Sequence, residues 1–180
     1  MWRLHGPRIS AVFVLGAVLG AGACTREAAP QGGAEATGQS VRILLVRHGE
    51  TAPDGTSDPA LSEAGQRRGE ALARLLASAG VTQVYTTDYR RTRAIAQAVA
   101  DAVGIEVESY DPEALADFAT ELRSTSGVIL VVGHSNTTPE LVRHLGGEPG
   151  TPIEETEFDR LYVVVPAGEP ATTVLLRYGG

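Results

Sequence analysis

Val41-Arg42-Ile43-Leu44-Leu45-Val46-Arg47-His48-Gly49-Glu50 is a short, β-branched and nearly all apolar run that stops at an arginine, a histidine and a glycine. It predicts a strand over residues 41–46, buried on both faces in a parallel sheet. The carboxyl end of such a strand opens onto the crevice where open α/β sheets bind their ligands. Arg47 brings a planar fork of donors matched to phosphate or carboxylate. His48 brings a neutral ring nitrogen, and Gly49 a backbone free to turn beside a ligand. These three residues alone do not decide a function, because a histidine at a strand end also serves structure. The rest of the chain adds positive charge and a second histidine.

Ahead of this strand the composition changes character. Residues 1–10 carry Arg3 and Arg8 and no acid, and residues 11–23 are an apolar run too short to span a bilayer comfortably. That is the pattern of a secretory signal peptide over residues 1–23. The only cysteine, Cys24, directly follows Ala21-Gly22-Ala23, which resembles a bacterial lipobox whose cysteine is freed for diacylglycerol attachment. Ala21 stands where Leu or Val is more usual, and an ordinary cleaved signal is the alternative. A sole cysteine makes no internal disulfide, so the fold relies on its core. Residues 24–40 are Ala, Gly, Gln, Glu and Pro with almost no large apolar side chain, the composition of a flexible tether. The expectation is an exported lipoprotein facing the periplasm, held at a membrane through its lipid. Thr25 rather than Asp after the cysteine leans towards the outer membrane.

Loss of residues 1–23 removes two positive charges and takes the formal net charge from −7 to −9. Such an acidic body argues against nucleic acid as a partner. The remaining stretch, residues 41–180, is long enough for one domain with a disulfide-free core, burying roughly two-thirds of its unfolded surface.

Within that domain the pattern alternates. Residues 52–60 read as a loop. Ser62 reads as the N-cap of a helix that Gly80 ends, and residues 83–85 as a short strand. A second helix is expected over residues 92–103, with a stripe of Ile95, Ala98, Val99, Ala102 and Val103 that ends at Gly104. Then come a strand over 106–110, a helix over 112–123, an apolar strand over 127–132, a short helix over 139–145, and strands over 161–165 and 173–177. This rhythm predicts a three-layer α/β/α sandwich with a mostly parallel sheet.

Three motifs fall at carboxyl ends of expected strands: Arg47-His48-Gly49-Glu50, Thr86-Thr87-Asp88-Tyr89-Arg90-Arg91-Thr92-Arg93-Ala94, and Gly133-His134-Ser135-Asn136-Thr137. In this order and context the chain resembles the histidine phosphatase superfamily, which includes the phosphoglycerate-mutase-like phosphatases and the short phosphohistidine phosphatases. The resemblance runs from about residue 41 to 178, and Asp58-Pro59-Ala60-Leu61-Ser62-Glu63-Ala64-Gly65 looks like the segment leading into that family's first helix.

The resemblance implies that His48 is a nucleophile taking a phosphoryl group, and that Arg47, Arg91 and His134 hold that group. The substrate would be a phosphorylated small molecule or phosphoprotein, a monoester or phosphohistidine, with no metal and no cofactor. The chemistry of the residues agrees, since phosphoryl transfer needs placed cations and an in-line nucleophile. The same cations disfavour protonation of His48, whose neutral ring alone attacks. Arg90 and Arg93 are expected to be solvated, and His144 carries no claim. The departure is the proton donor. No acid follows His134, where Ser135 and Asn136 stand. Asp111, before Pro112, reads as a helix cap, and Asp117 fits an acid position only loosely. A catalytically weak phosphate-binding module is therefore an alternative, as is a serine hydrolase using Ser135 with His144.

Lipidation at Cys24 is tested by mass spectrometry of the mature amino terminus. A diacylglyceryl-cysteine is expected there, and an unmodified Ala, Thr or Cys contradicts it.

Overall fold

Six apolar or alternating runs pair into one sheet, and four amphipathic segments cover its two faces. The computed structural model describes residues 40–179, so the signal peptide, Cys24 and the tether up to residue 39 lie outside the described residues. The elements are β1 (Arg42–Arg47), α1 (Glu63–Leu76), β2 (Val81–Thr86), α2 (Arg90–Val103), β3 (Val107–Ser109), α3 (Leu115–Ser124), β4 (Val128–Gly133), α4 (Thr137–His144), β5 (Arg160–Val165) and β6 (Thr172–Arg177). The sheet order is β3-β2-β4-β1-β5-β6. Strands β1 to β4 are mutually parallel, and β5 runs antiparallel to both β1 and β6. This is the mostly parallel three-layer sandwich expected from the sequence.

The two central strands have no polar face. β4 is buried along its whole length and β1 at every residue after Arg42, because helices cover them on both sides. One layer sets Leu72 and Leu76 of α1 and Ile95 and Val99 of α2 against Leu44, Val46, Leu130 and Val132. The other sets Phe118 and Leu122 of α3 and Leu141 of α4 against Ile43, Leu45, Ile129 and Val131.

Two sequence expectations shift. Ser62 caps α1 as expected, its hydroxyl accepting from Gly65 N at 3.2 Å. Asp111, by contrast, does not cap α3. Its carboxylate accepts from Glu113 N at 2.9 Å, closing a turn over residues 111–114, and the helix begins only at Leu115. An Asp-Pro pair serves a turn as readily as a helix start, and here the apolar residues that anchor α3, Leu115 and Phe118, lie beyond it. α2 starts earlier than expected, at Arg90, because the Asp58 carboxylate accepts from Arg90 N at 3.0 and 3.2 Å and supplies the cap that Tyr89 lacks.

Behind β1 the chain turns through a contact that only glycine permits. A methyl on Gly65 would overlap the carbonyl oxygen of Glu50, and one on Gly49 would come within 2.9 Å of the Gly65 Cα. Gly65→Ala is expected to cost about 1–3 kcal/mol by overpacking. Gly168→Ala, where a methyl meets nothing within 4 Å, should stay within about 0.5 kcal/mol. Urea midpoints compare the two, and equal losses would show that the Gly65 contact relaxes freely.

Candidate active site

β2, β4 and β1 are neighbours in the sheet and end within one residue of each other: Arg47 pairs with Gly133, and Thr86 with Val132. The first residues past the three strand ends, His48, His134 and Thr87, are thereby brought together. His48 N donates to Gly133 O at 2.9 Å, carrying the β1–β4 ladder one residue further.

His48 is 7% exposed. Its Nδ1 lies 2.7 Å from the carbonyl oxygen of Gly49. A carbonyl only accepts, so Nδ1 carries the proton, and in the neutral ring the lone pair is on Nε2. Burial pushes the His48 ring down to about 4, against the opposing bond to Gly49 and with Arg47, His134 and Arg91 adding to the depression. The His134 ring stands 5.4 Å from His48, edge to face. Its Nε2 is 2.9 Å from the Thr87 hydroxyl, which in turn meets Thr92 Oγ1 at 3.0 Å. His134 is likewise pushed down to about 4, by burial first and then by Arg91 and Arg47.

Arg91 sits in the first turn of α2, with Nη1 3.5 Å from Asp58 Oδ1 and its guanidinium 4.5 Å from the centre of the Tyr89 ring. Arg47 is placed differently. Its Nη1 donates to the carbonyls of Glu154, Glu155 and Glu157 at 2.8, 3.1 and 3.0 Å, and the guanidinium lies 4.2 Å over Phe158. Half of this side chain thus clamps the loop ahead of β5. Its Nε is buried without a hydrogen-bond partner, an orphaned donor. Glu50 forms a two-pronged pair with Arg68, with contacts of 2.6–3.2 Å. This pairing accounts for Glu50 structurally.

His48, Tyr89, Arg91, Pro112, Glu113, His134, Ser135, Asn136 and Thr137 line one cleft of about 460 Å³. The structure therefore brings His48, Arg91 and His134 to a single wall, with Arg47 beside them. Neither Asp111 nor Asp117 lines this cleft. Glu113, which the sequence reading passed over, does. The Asx turn at Asp111 delivers it there, and the Asp111-Pro112 pair was the signal available for that turn. Tyr89 was also passed over. Arg93 binds Asp88 at 2.7 Å and Arg90 faces Asp54 at 3.7 Å, both outside the cleft. His144 faces Glu140 at 3.5 Å in a neighbouring groove, away from Ser135. Among the described residues no three of His, Cys, Asp and Glu stand close enough to hold a metal ion.

Residues 43–113 match the model of the histidine phosphatase superfamily, branch 1. A probable phosphoglycerate mutase, GpmB, of Yersinia enterocolitica is 37% identical over 73 residues, which are 37% of this chain and 34% of that protein. The chain thus spans about a third of the length of the curated relatives it matches. Among solved structures, a mycobacterial glucosyl-3-phosphoglycerate phosphatase superposes with a TM-score of 0.60 at 14% identity, over 76% of this chain and 98% of that one. The protein histidine phosphatase SixA complexed with tungstate superposes with a TM-score of 0.59 at 18% identity, over 76% and 95%. The fold is that of the phosphoglycerate-mutase-like histidine phosphatases. The family match adds that the segment bearing the first two motifs is related to that superfamily in sequence.

Both rings are held below the ordinary histidine value of 6.5. Between about pH 4 and 6.5 the unfolded chain therefore binds more protons than the folded one, and stability rises with pH across that window. Nitrogen NMR at pH 5.5 should show His48 neutral, with a protonated Nδ1 and a bare Nε2. A ring carrying both protons at that pH contradicts the assignment.

Proposed function

We propose that the chain hydrolyses phosphoryl groups at this cleft by double displacement through His48, with no metal. One observation carries the reading: the Nδ1 proton of His48 is committed to the Gly49 carbonyl, so a neutral, buried ring offers the Nε2 lone pair beside Arg91 and His134. The match of residues 43–113 to the histidine phosphatases supports it. So does a structural neighbour solved with tungstate, a tetrahedral oxyanion like phosphate.

In the first step the Nε2 lone pair attacks phosphorus, the bond to the leaving group breaks, and the leaving atom takes a proton from the Glu113 carboxyl. Arg91, His134 and the free Nε of Arg47 hold the phosphoryl oxygens as their charge redistributes. In the second step water attacks phosphorus and gives its proton to the Glu113 carboxylate, and the N–P bond breaks with its electrons returning to Nε2. Glu113 is exposed, so water reaches the cleft and resolves the phosphoenzyme. A carboxyl lining the cleft favours this reading over a phosphate-binding module. The lipid anchor expected at Cys24 would set this activity at a membrane surface, facing the periplasm, on phosphorylated small molecules or phosphoproteins.

Turnover of p-nitrophenyl phosphate by the full chain should survive EDTA, and a loss that zinc or magnesium restores contradicts metal independence. Arg91→Ala should weaken vanadate binding about 10- to 100-fold, since a guanidinium clamp on an oxyanion is a charge-assisted contact. Glu113→Gln should slow phenyl phosphate about 100-fold, within the range for general acids, yet barely slow p-nitrophenyl phosphate, whose leaving group needs no proton. An equal effect on both esters removes Glu113 from the donor role.

A further inference from the structure

We propose that the leaving group this cleft accepts is a flat, uncharged ring, and that substrates carrying a second anion are rejected. The inference rests on the phosphatase reading above. Beyond His48, Arg91 and His134, the cleft is walled by Tyr89, Pro112, Glu113, Ser135, Asn136 and Thr137. The one charged residue of that wall is an acid. Both cations near the site are spoken for: Arg91 belongs to the phosphoryl end, and Nη1 of Arg47 is held by the carbonyls of Glu154, Glu155 and Glu157. The next guanidinium groups point away. Arg90 faces Asp54, while Arg93 binds Asp88 and the Ser109 hydroxyl and lines a different groove. Among the described residues, a carboxylate or second phosphate on the leaving group would therefore find no counter-charge in the cleft and would face Glu113 instead.

A flat ring, by contrast, finds a prepared surface. Tyr89 is held at the N-cap of α2, where its ring meets the Arg91 guanidinium 4.5 Å from its centre and the His134 ring edge to face at 5.0 Å. Two contacts fix its plane, yet it remains 38% exposed. An exposed aromatic fixed at the mouth of a site, with Pro112 on the same wall, offers apolar area at little entropic cost. An aryl ester and an N-phosphorylated imidazole share this chemistry, a phosphoryl group on a planar ring.

The test compares kcat/KM of the full chain on phenyl phosphate, N-phosphoimidazole, phosphoserine and 3-phosphoglycerate. The two ring substrates should be preferred over 3-phosphoglycerate by at least about 100-fold. Tyr89→Ala should cut kcat/KM for them, through KM, about tenfold more than it cuts kcat/KM for phosphoserine, whereas Tyr89→Phe should behave as the wild type. Asn136→Arg, which adds a cation to the wall without touching Tyr89, should raise turnover of 3-phosphoglycerate at least about tenfold. It keeps the test decisive should Tyr89→Ala fail to fold. A ranking of phenyl phosphate against N-phosphoimidazole, in either order, assigns the source of the ring and supports the proposal. Preference for 3-phosphoglycerate, or equal loss on all substrates in Tyr89→Ala, overturns it and leaves the phosphatase reading standing. No turnover of any substrate overturns both.

Discussion

The proton on His48 Nδ1 is tied to the carbonyl of the next residue, at 2.7 Å, on a ring that the fold keeps almost wholly from solvent. Burial and three neighbouring positive or potentially positive groups make protonation of that ring unfavourable, while the Gly49 carbonyl decides which nitrogen keeps the single remaining proton. Tautomer and charge are both set before any ligand arrives. That is preorganisation in its simplest form, because the proposed reaction would then need no proton removed from the ring and no change of tautomer.

Much of the surrounding structure serves to hold that arrangement. The Gly49–Gly65 approach lets the loop after β1 lie against the start of α1, and Arg68 locks the same loop through Glu50 while also donating to the Tyr178 carbonyl at 3.1 Å. On the other side, the residues ahead of β5 are fixed twice. Arg47 grips their carbonyls, and Glu157 pairs with Arg160 and Arg177, its carboxyl held down to about 2 chiefly by the hydrogen bond from Arg160. Arg47 thus links the sheet, the β5 approach and the site. It was expected to be a phosphate ligand alone, and its structural half rests on contacts 107–110 residues away, which no local pattern announces.

The central sheet was legible because β1 and β4 are apolar on both faces, a composition that few structures other than a doubly covered parallel strand can bury. The placement of the histidines was legible for the same reason: each is the first residue after such a strand, so finding the strand finds the candidate site. Glu113 was not legible. Its position depends on α3 beginning at Leu115 rather than at Pro112, and the local signal, an aspartate before a proline, fits a helix cap and an Asx turn equally well. What decides between them is the packing of Leu115 and Phe118 against Tyr85, Tyr110 and the sheet, a tertiary matter. The placement of Tyr89 was hidden in the same way, since it rests on two neighbours, Arg91 and His134, that only the folded chain assembles.

The central claim is that Nε2 of His48 becomes covalently phosphorylated, and rapid quench of the full chain with a labelled monoester tests it most directly. A burst of label on the protein is expected that is lost in acid, retained in base, located on His48 by peptide mass spectrometry, and absent from His48→Ala, which should still bind vanadate. A wild-type chain that turns over substrate with no such label, or a His48→Ala variant that keeps its turnover, would contradict the claim and leave only a shared fold.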